Sequence, residues 1–573
     1  TPAGMRGWEL AVLLGVVASV TLPFLDKPFH VDDPFILQVT ANILANPLDP
    51  FAGVSAWFGS AIPIWQQATN PPLWNYWLAP FAAASDYSEV VLHAAMIPFY
   101  LLLGWATLWL GRRFTRAPGS ALWVLLFVMW SAGVVVSGNV MRDIPTAALA
   151  TAALALVVDG CDRDRLGRLI AGCLLAGLAL LMKYSAVILL PLLALYPLLR
   201  GRPRQALWAL LPLALVALWS LHNAWVYGEV HILHILGRSY GPGSAWADNL
   251  CSVPVVLGSL VYLMPVLMWR VALRNDRMLA GVLAVVALTE LSTWLYLGEQ
   301  LDAQYVFWSM TGAALLALCL GEGTRQALRW RDRDPEAVDS AFLIAWLCAP
   351  LLFSVLFAPF QAVRHFILAL PPLVLLAFRA LEGRRKSGEA MPRLFLALLL
   401  AAQVSVAFIV AAADTRHAGA YRDFADQARE RWGSETRPTW YVAHWGWAFY
   451  GARAGLEAFY AEGPVPQPGD RLVQPQNYYN GSVYSHGDLE PGIFRKLDEV
   501  VYPAPAGLRA MHPAGAGFYA LFAYRTSGGL PLLPYRWLPD YPDEAFEVLE
   551  RLEPEPAPDP RSRERRRRSR PAR

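Results

Sequence analysis

The sequence predicts a polytopic α-helical membrane protein that ends in a small soluble α/β part, and three observations carry that prediction. First, the 573 residues are 56% hydrophobic and only 16% charged, with 23 Trp. A soluble chain is nearer to about 25% charged. Second, apolar runs recur at the length that crosses a bilayer core of about 30 Å, roughly 17 to 25 residues each. About thirteen are present, near 8–25, 89–111, 119–137, 144–158, 167–182, 184–199, 206–226, 251–269, 278–297, 305–321, 340–358, 365–380 and 392–412. Third, Lys and Arg in the connecting loops fall on alternate sides, 19 on one against 5 on the other.

The basic loops hold Arg112, Arg113 and Arg116; Arg163, Arg165 and Arg168; Arg200, Arg202 and Arg204; Arg270, Arg274 and Arg277; Arg325, Arg329, Arg331 and Arg333; and Arg384, Arg385 and Lys386. The opposite turns hold only Lys27, Arg142, Lys183, Arg238 and Arg364. The positive-inside rule makes the first set cytoplasmic and the second exported. The net charge of +3 therefore reports orientation, and nucleic acid is not an expected partner. The stretch 167–199 is too long for one span, since a helix of that length rises about 50 Å. It is read as a hairpin of two short helices turning at Lys183-Tyr184. The first run is expected to remain as an anchor rather than to be cleaved as a signal peptide. The five cysteines, at 161, 173, 251, 319 and 348, sit in or beside apolar runs, so no disulfide framework is expected.

Residues 1–413 form the expected transmembrane domain, with 26–88 as a long exported loop carrying interfacial helices. Residues 414–553 form an exported α/β domain. There "TWYVAHWGWAFYGARAGLEAF" reads as strand, helix and strand, while "GDRLVQP" and "GAGFYALFAYR" read as further strands. The aromatic run from Trp440 to Tyr460 is read as core rather than as a sugar-stacking surface. Residues 554–573, Pro-rich and then Arg-rich, are expected to be disordered. No two-halves repeat is visible in the sequence.

Ionisable groups at the lip of a bilayer are costly and mark candidate sites. On the exported side these are Asp32, Asp33, Arg142, Asp143, Lys183, Glu290, Arg364 and His365, with His30, Asp86, Glu299 and Asp302 nearby. Acids and bases at the ends of different helices suit a site that holds a phosphate and an attacking hydroxyl. In "HVDDPFIL", Asp33 precedes Pro34 at the start of a helically spaced run, which is the pattern of an N-cap followed by proline. Asp32 has no such structural role and is the candidate general base. In "NVMRDIPTAA", Asp143 is either a cap or a second carboxylate orienting sugar or acceptor, with Arg142 beside it for phosphate. Lys183 is either a snorkelling lysine or a phosphate ligand. Arg364 with His365 is a candidate phosphate clamp. Glu290 lies within an apolar run near Ser292 and Thr293. His30, Asp32 and Asp33 are the candidates for a divalent metal, although no zinc-like spacing accompanies them.

Taken in order, the acidic pair, "NPPLWNYWLAP", "MRD" at a helix start, "GLALLMKYSAVILLPLLALY" and "RHFILALPPLVLL" resemble the polytopic GT-C glycosyltransferases. The branch that includes the protein O-mannosyltransferases and bacterial aminoarabinose transferases is the most similar. The resemblance covers most of 1–412. It implies a polyprenyl-phosphate sugar donor and a lipid, glycan or protein acceptor, in a bacterial inner (plasma) membrane with the catalytic face periplasmic or extracellular. It further implies Asp32 as the catalytic acid of the pair, Asp143 as the acid of a later helix start, and Lys183 and Arg364 on donor phosphate. Asn70, where some relatives carry Lys or His, Tyr184 and Glu290 are expected to line the substrate pocket. A transporter or flippase of lipid-linked sugars is the alternative, and a non-catalytic scaffold is a further one. The two adjacent acids carry opposite expectations: Asp33→Asn or Asp33→Ser is largely tolerated, and Asp32→Asn is not.

Overall fold

The structure, a computed structural model, describes residues 5–57, 59–117, 119–237, 245–298, 301–329, 334–383, 391–432, 437–442, 445–460, 463–476, 493–511, 517–521, 533–539 and 541–553. Arg238, Glu299 and the 554–573 tail lie outside these residues, as do Arg331, Arg333 and 384–386 of the basic loops.

Among the described residues nine helices are long and apolar enough to cross a membrane. They are Gly7–Phe24, Glu89–Phe114, Asp143–Asp162, Pro203–Val226, Asp276–Leu297, Ala303–Ala327, Pro335–Phe357, Val363–Gly383 and Arg393–Trp432. Trp246–Leu260 and Met264–Ala272 form a further pair bent by 88°, and three shorter apolar helices are Ser120–Met129, Leu166–Met182 and Tyr184–Leu199. Each of the apolar runs in the sequence falls on one of these elements. The bend has a covalent cause: Pro265 has no N–H to offer the Val261 carbonyl one turn back.

Burial orders the bundle. The Asp143–Asp162 span is 94% buried and is its central helix, whereas Asp276–Leu297 is 11% buried and peripheral. Leu283, Leu288, Leu291, Trp294 and Leu295 on the peripheral helix are exposed, which suits a surface facing lipid. Trp246–Leu260 and Ala303–Ala327 pack backbone to backbone where Gly258 meets Gly312, because a Cβ on Gly312 would fall on the Pro254 carbonyl. Small residues at such crossings let helices approach where lipid supplies no hydrophobic drive.

The 167–199 region is the expected hairpin. Lys183 has extended backbone (φ −154°) between Leu166–Met182 and a 3₁₀ turn, Tyr184–Ile188, that leads into Leu189–Leu199. Its two feet return to the same end, where Tyr196 Oη donates to Asp162 Oδ1 at 2.8 Å and Arg202 reaches Asp164 at 3.0 Å.

The two ends of the bundle differ in charge. At the basic end Arg113 bonds Asp339 at 2.8 and 3.1 Å and Asp162 at 2.5 Å, Arg200 bonds Asp339 at 2.6 Å, and Arg112 pairs with Glu9. Several arginines that the sequence uses to orient the chain therefore also fasten helices together. The opposite end carries the first loop and the C-terminal part, which are joined by Arg453–Asp86 (2.8 Å) and by the Phe29 N–H donating to Tyr450 Oη (2.9 Å).

The C-terminal part is built on a five-stranded sheet in the order Glu457–Phe459, Thr439–Val442, Arg471–Pro475, Glu544–Arg551, Phe494–Tyr502. The first three strands are parallel, and Glu544–Arg551 is antiparallel to both of its neighbours. Trp445–Arg453 is the crossover helix. Trp440, Tyr441, Trp445, Trp447 and Tyr450 are all buried, so this aromatic run is core. The helix Arg393–Trp432 runs unbroken through position 413, so the bundle and the C-terminal part share one 40-residue rod. The strand expected at "GAGFYALFAYR" does not form in its described portion, 517–521. Those residues instead bond the loop at 361–363: Val363 N–H donates to Phe518 O at 3.0 Å and Leu521 N–H to Gln361 O at 2.7 Å.

Gly312→Val is predicted to lower stability by at least the ~1–3 kcal/mol typical of overpacking, because the neighbour at that crossing is rigid backbone. An unshifted melting curve of the detergent-solubilised variant would sink that contact.

Candidate active site

Four elements end at one point on the face that carries the first loop. The central helix begins at Asp143, the hairpin turns at Lys183, the 3₁₀ segment Val363–Ala369 carries Arg364, and Asp32 is the N-cap of the helix Asp33–Ala45. Lys183 Nζ donates to Asp143 Oδ1 at 2.6 Å. Arg364 Nη2 donates to Asp32 Oδ2 at 3.3 Å, and Arg364 Nε lies 3.9 Å from Asp143 Oδ2. One guanidinium thus stands between two carboxylates whose residues are 111 positions apart in the chain.

The two acids differ in access. The Asp143 side chain is 5% exposed and enclosed by its cations, while that of Asp32 is 40% exposed. Arg142 lies close enough to interact electrostatically with both acids and with Arg364, yet no hydrogen bond or ion pair holds its guanidinium among the described residues. His365 sits behind this group with Nδ1 buried and, among the described residues, without a hydrogen-bond partner, its ring 5.6 Å from Phe360. Three permanent cations against two carboxylates leave a positive surplus, and Arg142 is uncommitted. That composition attracts a phosphate-like dianion and allows forked contacts to it.

The adjacent acids of the first loop face opposite ways, and the backbone sets this. Val31 has φ +49°, a left-handed conformation costing a β-branched residue about 1–3 kcal/mol. His30 on one side of this kink is fully buried, and Asp32 on the other is presented to the site. Asp33 is fully buried, and its Oδ2 accepts the His30 N–H at 2.9 Å.

This corrects the expected cap. The helix N-cap is Asp32, with Asp33 at the first helical position, and neither Asp32 nor Asp33 caps the free N–H groups ahead. The Asp33 carboxylate turns back because the kink leaves the His30 N–H otherwise unmet inside the fold. Asp143 likewise makes no cap, since its carboxylate is taken by Lys183. The proposed metal ligands also separate. His30 packs among His417, Tyr421, Trp445 and Tyr519 with Nε2 3.7 Å from Asp414 Oδ1, while Asp32 faces Arg364. Among the described residues no group of three or more His, Cys, Asp or Glu is arranged to hold a metal ion.

Asn70 and Tyr184 meet at the flank of the site, where Asn70 Oδ1 accepts the Tyr184 N–H at 3.2 Å. Tyr184 belongs to a set the sequence did not single out. His231 Nε2 lies 3.0 Å from the Ala68 carbonyl, which only accepts, so Nε2 carries the proton and Nδ1 accepts from Tyr184 Oη at 3.0 Å. Trp219 Nε1 donates to that same hydroxyl at 3.0 Å. The clue was the histidine-rich stretch after Trp219, whose residues lie at the end opposite the basic loops. Glu290 is not brought to the site; it lies beside Ser309 on the peripheral helix. Asp86 and Asp302 are engaged by Arg453 and Arg536 of the C-terminal part.

No family model and no curated protein matches the chain. The chain is similar to solved structures of GT-C glycosyltransferases, all at low identity. The Archaeoglobus fulgidus oligosaccharyltransferase with a tethered acceptor peptide is 13% identical, with a TM-score of 0.45, over 80% of this chain and 64% of that one. The chain thus spans a little under two thirds of that protein's length. ArnT from Cupriavidus metallidurans, bound to undecaprenyl phosphate, is 14% identical with a TM-score of 0.37, over 86% and 96%. The Mycobacterium smegmatis arabinosyltransferase EmbB is 16% identical with a TM-score of 0.30, over 79% and 44%.

Burial, opposed by the His30 N–H and by Lys27, raises the Asp33 carboxyl from its ordinary 3.8 to about 8. Folded Asp33 therefore keeps a proton that the unfolded chain releases, so its contribution to stability is full below about pH 4 and is lost as pH rises to about 8. Asp33→Asn, neutral throughout and still able to accept from His30, is predicted to flatten the fall in melting temperature across that window. Parallel curves for the two proteins would count against a buried, protonated Asp33.

Proposed function

We propose that the chain is an integral-membrane glycosyltransferase. It moves a sugar from a polyprenyl-phosphate donor to an acceptor hydroxyl, with the catalytic face and C-terminal part on the exported side of a bacterial inner membrane. The observation that carries this reading is the convergence of Arg364, Lys183 and the uncommitted Arg142 on two carboxylates, only one of which is open to a substrate. The loop arginine and lysine bias supports this orientation.

In this reading the donor phosphate binds where the cations lie in surplus and draws the Arg364 guanidinium toward itself. Its pairing with Asp32, the longer of the two hydrogen-bonded acid contacts of the cluster at 3.3 Å, gives way first. Asp32 then accepts the acceptor hydroxyl's proton as that oxygen bonds to the anomeric carbon. The carbon–oxygen bond to phosphate breaks, and its electron pair leaves with the polyprenyl phosphate, whose charge the three cations stabilise. Asp143 does not contact substrate here; it holds Lys183 and faces Arg364. One base and one departing phosphate suffice for a single displacement, so the product is inverted.

The test is transfer from synthetic polyprenyl-phosphate sugars by the purified membrane protein, with product stereochemistry read by NMR. Asp32→Asn is predicted to lower the rate by about 10²–10⁴-fold, the usual contribution of a general base, while still binding undecaprenyl phosphate. Arg364→Ala is predicted to weaken that binding by about ten- to a hundredfold, the effect of losing a charged hydrogen bond. Transfer that survives unchanged in Asp32→Asn would remove Asp32 as the base, whereas no transfer by the wild type, together with movement of the lipid-linked sugar that is lost in Glu290→Gln, would replace the enzyme with a transporter.

A further inference from the structure

Arg364 is held from behind as well as from in front. Its Nη1 donates to the backbone carbonyl of Tyr519 at 3.1 Å, in the same segment whose residues 518 and 521 bond the chain at 363 and 361. Three hydrogen bonds therefore fix the stretch 361–364 to the C-terminal part. The segment is itself anchored, because Phe518 N–H donates to Ala510 O at 2.9 Å and Gly517 turns with φ +43°. A Cβ on Gly517 would collide with that Ala510 carbonyl, so only glycine fits the approach.

The Tyr519 side chain, 2% exposed, runs the other way. Its hydroxyl donates to Asp414 Oδ2 at 2.5 Å and accepts from Asn139 Nδ2 at 3.1 Å. Both partners also hold Lys27, whose Nζ donates to Asn139 Oδ1 at 2.5 Å and to Asp414 Oδ2 at 2.6 Å. Lys27 and His30, the latter with its ring 5.6 Å from Tyr519, belong to the loop that delivers Asp32. One residue of the C-terminal part thus touches the supports of both members of the Asp32–Arg364 pair: the guanidinium through its carbonyl, and the Asp32 loop through its hydroxyl and ring.

We infer that the C-terminal part completes the active site and that Tyr519 is a positioning residue, setting where the Arg364 guanidinium stands relative to Asp32 and to the donor phosphate. The inference rests on the phosphate-holding role proposed for Arg364. A tyrosine that only filled space would affect every function of the protein in proportion to the stability lost. A tyrosine acting through Arg364 affects phosphate binding only while Arg364 is present.

The experiment is a double-mutant cycle on the full-length chain in detergent, read as the Kd of undecaprenyl phosphate. Tyr519→Phe keeps the ring and the carbonyl and removes only the hydroxyl. It is expected to weaken binding by about five- to tenfold in the wild-type background, as for one displaced hydrogen bond, and by less than about twofold with Arg364→Ala. Asn139→Ser, which withdraws the other hydrogen bond to that hydroxyl, is the second probe should Tyr519→Phe fail to fold, and the same dependence on Arg364 is expected. Equal losses in both backgrounds, or no loss in the wild type, would overturn the inference and leave Arg364 as a phosphate ligand. An Arg364→Ala chain that binds as tightly as the wild type would overturn the phosphate reading and the inference with it.

Discussion

The buried ion pair between Lys27 and Asp414 is the constraint on which the half of the molecule opposite the basic end depends. Both side chains are almost wholly removed from solvent, at 3% and 0% exposure. Burying opposite charges is tolerated only when the remaining donors and acceptors are met. Here Asn139 takes a second ammonium proton and the Tyr519 hydroxyl bonds the carboxylate oxygen that Lys27 uses, while the other carboxylate oxygen has the His30 ring nitrogen 3.7 Å away. The partners come from the first loop, the turn before the central helix, the long rod and the C-terminal part. A slip in any one of these would strand a charge, so the pair specifies register far more than it adds stability.

Charge at the two ends of the bundle is spent differently. At the basic end the arginines close onto Asp162, Asp339 and Glu9, and Arg379 donates to Phe114 O and Ser340 Oγ, both at 2.9 Å. These contacts lock helices and leave little for a ligand. In the cluster at the opposite end three cations, Arg142, Lys183 and Arg364, face two carboxylates, Asp32 and Asp143, and Arg142 has no described partner. A cluster that is incompletely neutralised at a lip open to solvent costs stability, and such a cost is what a binding site for an anion retains.

The strained backbone at Val31 belongs to the same economy of position. Adjacent residues of an ordinary helix start would place His30, Asp32 and Asp33 on a shared turn, where they would look like a ligand set. The left-handed step instead sends one inward to the rings around His417 and turns another out toward Arg364. Strain of this kind persists only where the surroundings over-determine it, and the Asp33 bond back to the His30 N–H together with the Lys27 anchor supplies that support.

The sequence by itself determined the spans, their break at Lys183, the sidedness of the charges and the strand–helix–strand at 439–459, because hydropathy over a bilayer thickness and turn chemistry are local properties. It also picked out the ionisable residues of the candidate site, since a charge at a membrane lip stands out in any window. It did not reveal that Asp143 belongs to Lys183 and Asp32 to Arg364, nor that Glu290 stands apart, because pairing depends on which helix ends meet. The sequence gives no separation shorter than 40 residues for the first of these pairs and 332 for the second. Nor did it reveal that 517–521 would leave the expected strand to brace Arg364, or that His231 and Trp219 would hold Tyr184. Those arrangements were decided by tertiary structure alone, where each buried polar group had to find a partner from a distant part of the chain.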